Sequence, residues 1–152
     1  MDLVGVNRAI GLFCLTVYAH ATGHITMGDL LEILPFTDPI VVVQLDGETI
    51  WNTLEGALSK WPAQEGRFPI VSGLRVDWDS SKAPGSRVLG VQTDVSADER
   101  HTGGPNTPKW QNLKREKGGQ LYRVVTREYL AQGHDGFESL KGSYAQLALA
   151  AH

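Results

Sequence analysis

The sequence predicts an α+β domain of mixed α/β layers, and three observations carry that prediction. Residues 48–61 place Ile50, Leu54, Ala57, Leu58 and Trp61 at three- and four-residue spacing, one apolar stripe of an amphipathic helix. Short apolar or alternating runs at 40–45, 68–78, 87–93 and 121–126 read as strands. Strands and helices alternate irregularly, and several strands are joined by turns alone. That argues against a regular doubly wound sheet. At 152 residues one domain is the expectation, large enough to bury a core without staples.

The elements follow in chain order. Residues 10–18 (I-G-L-F-C-L-T-V-Y) are apolar, follow Arg8 and precede the A-x-A pattern Ala19-His20-Ala21. This resembles a signal peptide, although Asp2 leaves the preceding segment barely positive, and the run is too short to span a bilayer as a helix. Residues 1–22 are therefore set apart as an atypical N-terminal segment, with the domain proper expected over 23–152. Thr26 precedes M-G-D-L-L-E-I-L and can cap a helix, with Asp29 as the answering acid. Leu30, Leu31 and Leu34 would share its apolar face, and Pro35 would end it. Residues 40–45 (I-V-V-V-Q-L) are β-branched and nearly continuous, so they predict a strand buried on both faces. Asp46-Gly47 turns the chain into the helix of 48–61, which Pro62 stops.

Residues 68–78 read as one half-buried strand, in whose second half Leu74, Val76 and Trp78 alternate with Arg75 and Asp77, and Gly73 inside it predicts a bulge or a close backbone approach. Residues 79–86 are a turn by composition. The polar tract 94–119 reads as a long surface excursion, and its K-R-E-K run at 114–117 as a solvated face. Residues 121–125 read as a buried strand, and 143–152 as helix-favouring.

The chemistry is read by elimination. The net charge of −3 supplies no basic patch, so neither nucleic acid nor an anionic membrane is expected as a partner. The single cysteine, Cys14, excludes an intrachain disulfide. His20 and His24 stand four apart with no carboxylate in register, a poor metal site. His101 and His134 read as isolated side chains, solvated or hydrogen-bonded. No P-loop, dinucleotide fingerprint or G-x-S-x-G is present. What remains is residues 126–137, T-R-E-Y-L-A-Q-G-H-D-G-F. Here Tyr129 precedes a turn in which glycines lie near Asp135 on both sides. Glycine permits positive φ and close approach of a ligand to the backbone, and the carboxylate can accept hydrogen bonds from paired hydroxyls. By itself this motif is weak and reads first as a loop with a solvated aspartate. Tyr129 and Phe36, on separate loops, could also sandwich a planar ring or simply fill core.

Five blocks narrow these alternatives. They are 23–36 (G-H-I-T-M-G-D-L-L-E-I-L-P-F), 41–47 (V-V-V-Q-L-D-G), 66–76 (G-R-F-P-I-V-S-G-L-R-V), 81–88 (S-K-A-P-G-S-R-V) and 128–137 (E-Y-L-A-Q-G-H-D-G-F). In this order they resemble the C-terminal, substrate-binding domain of the 5′-nucleotidase family. The resemblance implies that Phe36, from the family's L-P-F motif, and Tyr129 clamp a nucleobase, and that Asp135 binds the ribose hydroxyls. It also implies that catalysis belongs to a metallophosphoesterase domain with two divalent metals, which this sequence does not contain. No catalytic residue, metal ligand or cofactor is therefore expected in this chain. The expected partners are a nucleotide or nucleoside and that metallophosphoesterase domain.

The sequence departs from the family in several places. His134 replaces the second glycine of the family's G-G-D-G motif. Only V-N-R-A-I at 6–10 echoes the N-G-G-G-I-R loop, so no substrate role passes to Arg8. The family's usual tail is expected to be incomplete after Lys141. Residues 10–20 then gain a further reading, an insertion relative to the family such as a retained intron. The function expected is nucleoside recognition for a phosphoester hydrolase of nucleotide catabolism, acting in a secreted or a cytoplasmic setting. The alternative is a stand-alone nucleoside-binding module or a non-catalytic truncated product.

Overall fold

The computed structural model describes residues 9–14, 26–28, 31, 38–63, 66–96 and 107–143. Phe36, Leu30, Leu34, His20, His24, His101 and residues 144–152 lie outside them. The described strands are β1 (Ala9–Cys14), β2 (Ile40–Asp46), β3 (Pro69–Ser72), β4 (Leu74–Trp78), β5 (Val88–Asp94), β6 (Trp110–Asn112) and β7 (Leu121–Arg127). The helices are α1 (Gly47–Leu58) and the single turn α2 (Glu128–Ala131), followed by 3-10 turns at His134–Gly136 and Glu138–Leu140.

Among the described residues these strands form two sheets. One runs β2-β7-β1-β3 and the other β4-β5-β6. β2 and β7 pair antiparallel over their full length, from Ile40 opposite Arg127 to Asp46 opposite Leu121. β7 and β1 pair parallel, and β1 and β3 pair antiparallel. β1 thus lies within 1–22, the segment that the sequence set apart. No described helix is long and apolar enough to cross a membrane.

α1 forms where its stripe predicts, and its start is fixed by Asp46. The Thr49 N–H donates to Asp46 Oδ1 at 2.8 Å, an N-cap, and the Gly118 N–H donates to Oδ2 at 2.7 Å. One carboxylate therefore ties the helix start to the loop before β7. Desolvation pushes this carboxyl's pKa up, but the hydrogen bonds from Gly118 and Thr49 and the charge of Lys117 outweigh it. The net result lies below the usual carboxylate range. The helix packs on β2, β3 and β5. Ile50, Leu54, Ala57 and Leu58 are buried with Val43, Leu45, Tyr122 and Val124 from the first sheet and Val88 and Val91 from the second. The helix stops at Leu58, short of Trp61. Trp61 joins Phe68 and Trp78 instead, with ring centroids 5.3–6.3 Å apart.

Several expectations are corrected. β2 is buried on one face, not two: Val43 and Leu45 are inside, while Ile40 and Val42 are 59% and 43% exposed. β7 alternates in the same way, with Tyr122, Val124 and Thr126 buried and Leu121 turned out. The described sheet has a packed layer on one side only, so an unbroken apolar run still divides between two faces. Leu31, expected on an apolar helix face, is exposed. The run 68–78 is two strands in two different sheets, broken at Gly73, whose φ of +74° lets the chain pass from one to the other. The tract 94–119 is not a pure surface excursion. Its strand β6 pairs with β5, and Leu113 enters the core. The buried Asp94 Oδ1 accepts hydrogen bonds from Ser96 N–H at 3.0 Å and Ser96 O–H at 2.7 Å. The run 114–117 is exposed, as expected of a solvated face.

Candidate functional site: the turn after the last strand

β7 delivers the chain to Tyr129 at a defined place. The Glu128 N–H donates to the Pro39 carbonyl at 2.8 Å, and the Tyr129 N–H donates to Asp38 Oδ1 at 3.1 Å. Asp38 also faces Arg127 Nε at 3.6 Å. The entry to β2 and the exit of β7 are thereby fastened together, two residues beyond Phe36. Beyond α2, Gly133 at φ +90° reverses the chain. Leu130, Ala131, Phe137 and Leu140 are fully buried and anchor both sides of the turn. Ser139 Oγ lies 2.7 Å from Thr53 Oγ1, whose own proton goes to the Thr49 carbonyl, also at 2.7 Å. Ser139 is then the donor to Thr53, and the turn is pinned to α1.

Asp135 sits at the tip with φ 52° and ψ 29°, a left-handed conformation that non-glycine residues rarely adopt. It is exposed. The Tyr129 hydroxyl donates to Asp135 Oδ1 at 3.2 Å. The His134 imidazole stacks on the Tyr129 ring, with centroids 4.5 Å apart and planes 22° apart. His134 is therefore not the isolated side chain that its position in the sequence suggests. Tyr129 remains 41% exposed.

Two neighbours went unnoticed in the sequence. A Cβ at Gly66 would meet Asp135 Oδ2 at 3.6 Å, so the 66–67 backbone runs beside the carboxylate. A Cβ at Gly136 would lie 2.5 Å from Arg67 Nη1, so the guanidinium crosses directly over that glycine. Gly56 on α1 admits the Gly136 carbonyl, which would stand 3.0 Å from a Cβ there. Arg67 was legible only as part of the block G-R-F-P, because nothing in a spacing pattern connects residue 67 to residue 136.

Of the three predicted site residues, Tyr129 and Asp135 come together on one exposed turn, and Phe36 is outside the described residues. An apolar hollow of about 190 Å³ lies elsewhere, lined by Leu58, Phe68, Pro69, Val71, Val76 and Trp78. None of its lining side chains is charged or hydrogen-bonding apart from the Trp78 indole, so it offers little to orient a polar ligand. Among the described residues no group of three or more His, Cys, Asp or Glu side chains could hold a metal ion.

The fold and turn define a class: an α+β domain whose described strands form two sheets and which presents an aromatic ring and a carboxylate together after β7. Comparison with known proteins places it. The family described as "5′-nucleotidase, C-terminal domain" matches residues 4–142. An apyrase of Aedes albopictus is 36% identical over 124 residues, 82% of this chain and 20% of its own length. The human 5′-nucleotidase is 33% identical over 119 residues, 78% of this chain and 19% of its own. Among solved structures, a 5′-nucleotidase precursor from Thermus thermophilus superposes with a TM-score of 0.67 at 34% identity, covering 90% of this chain and 24% of that one. The chain belongs to the 5′-nucleotidase family and carries its C-terminal domain. It spans about a fifth of the length of the curated relatives it matches.

Proposed function

We propose that this domain recognises the nucleoside part of a nucleotide for a 5′-nucleotidase-like phosphoester hydrolase acting in nucleotide breakdown. The observation that carries the reading is the contact between Tyr129 and Asp135, 3.2 Å from hydroxyl to carboxylate on one exposed turn. A flat ring for the base and a charged acceptor for the sugar hydroxyls then stand side by side. Phe36 would supply the opposing ring. Two residues along the chain from it, Asp38 is fastened to the Tyr129 backbone.

Asp135 would accept hydrogen bonds from the ribose hydroxyls, and its charge strengthens them. Stacking on Tyr129 is tolerant of the base. No step through a metal is assigned to this domain. Metal-assisted hydrolysis is attributed to a metallophosphoesterase domain with which this one would work.

Calorimetric titration of the full chain with adenosine and with AMP tests the reading. Saturable binding is expected, weakened about 5- to 150-fold in Tyr129→Ala, as a stack of about 1–3 kcal/mol requires. Folded chain that binds neither ligand, or a Tyr129→Ala variant with unchanged affinity, would overturn it.

A further inference from the structure

We propose that His134 is a positioning residue for base recognition, holding the Tyr129 ring from behind so that the base stacks on the opposite face. The proposal rests on the nucleoside reading above. It starts from the turn itself. Gly133 reverses the chain so tightly that a Cβ there would stand 3.3 Å from Glu138 Cα and Lys141 Cβ. That reversal brings residue 134 back over residue 129, and the imidazole lies along the phenol ring at 4.5 Å and 22°. The next residue, Asp135, takes the phenol hydroxyl at 3.2 Å.

Two consecutive residues therefore hold the tyrosine, one at its face and one at its tip. An exposed tyrosine otherwise loses rotamer freedom when a ligand orders it. Here that ordering is done before the ligand arrives. The face turned to His134 is closed to a base, so a base must approach the other, giving a stack in the order base, Tyr129, His134. Asp135 Oδ1 is engaged by the phenol, and among the described residues Oδ2 accepts no hydrogen bond, which leaves it for the sugar. His134 is exposed, so its replacement removes no core contact.

The test titrates adenosine into the full chain, its Tyr129→Ala variant, and the variants His134→Ala and His134→Phe, each first shown by circular dichroism to fold like the parent. His134→Ala is expected to bind about three- to tenfold more weakly, the range of one aromatic contact. His134→Phe, which restores a ring without the imidazole's polar atoms, is expected to recover the parent affinity. A general structural role would not be rescued in this way. Equal or tighter binding by His134→Ala would show that the imidazole is idle or lies where the base belongs. Failure of His134→Phe to recover affinity would show that ring stacking is not the cause. Either result sinks the proposal while leaving the nucleoside reading intact, provided that the parent binds and Tyr129→Ala binds more weakly. A parent chain that fails to bind adenosine overturns both.

Discussion

Asp135 carries two demands that can be separated by substitution. Its backbone is left-handed and its carboxylate faces Tyr129. Asparagine tolerates the same φ and has nearly the same shape, but lacks the charge. Asp135→Asn is therefore expected to keep the parent melting temperature while weakening adenosine binding about tenfold or more, in line with the greater strength of hydrogen bonds to charged groups. Asp135→Gly should relax the backbone, leave the fold at least as stable, and lose the same binding. Paired thermal melts and titrations check both; unchanged affinity in both variants would remove Asp135 from the site. The sequence made this residue visible because glycines lie near it on both sides. It could not show that the adjacent histidine stacks on Tyr129, since stacking depends on a chain reversal and not on a spacing.

For the element α1, the decisive group is Asp46. Replacing it by alanine removes the N-cap, worth about 1 kcal/mol, and the bond from Gly118 as well. Its carboxyl has a lowered pKa in the folded chain, so the unfolded chain takes up the proton first as pH falls. The stabilisation is complete above the ordinary value of 3.8 and is lost as pH drops through the lower folded value. Urea midpoints measured from pH 7 down to pH 3 should thus fall less steeply in Asp46→Asn than in the parent. Equal slopes would mean that Asp46 does not titrate with folding. The helix itself was legible from its stripe, and its stop at Pro62 nearly so. β6 was not: three residues, Trp110 to Asn112, are too few to show a period. Gln92 opposite Asn112, and the Leu113 N–H donating to the Val91 carbonyl at 2.8 Å, define the strand from outside it.

The whole molecule depends on how α1 joins two sheets. Glu55 is buried on the helix and accepts from the Arg87 N–H at 3.1 Å and the Val88 N–H at 2.8 Å, at the entry to β5. Arg87 answers by donating through Nη1 to the Leu58 carbonyl and through Nε to the Lys82 carbonyl. Glu55→Gln turns one acceptor into a donor that faces an N–H, leaving a buried group unsatisfied at a cost of about 1–3 kcal/mol. The expected result is a melting temperature lowered by several degrees, with amide protection lost first in β5 by hydrogen exchange. Uniform loss across both sheets would instead mean that the fold opens as one unit.

The sequence by itself determined the elements whose signals are local: the α1 stripe, the alternation of β4, the turn at Gly133, and the family to which the chain belongs. Propensity, periodicity and glycine's access to positive φ act within a few residues, so they can be read there. The tertiary structure alone decided which face of β2 and β7 is buried, that the run 68–78 divides between two sheets, that a polar tract contributes a strand, and that Arg67 and His134 attend the turn. Those outcomes depend on what packs against a residue from far along the chain, and an apolar run such as I-V-V-V-Q-L carries no mark of which side its partner will take.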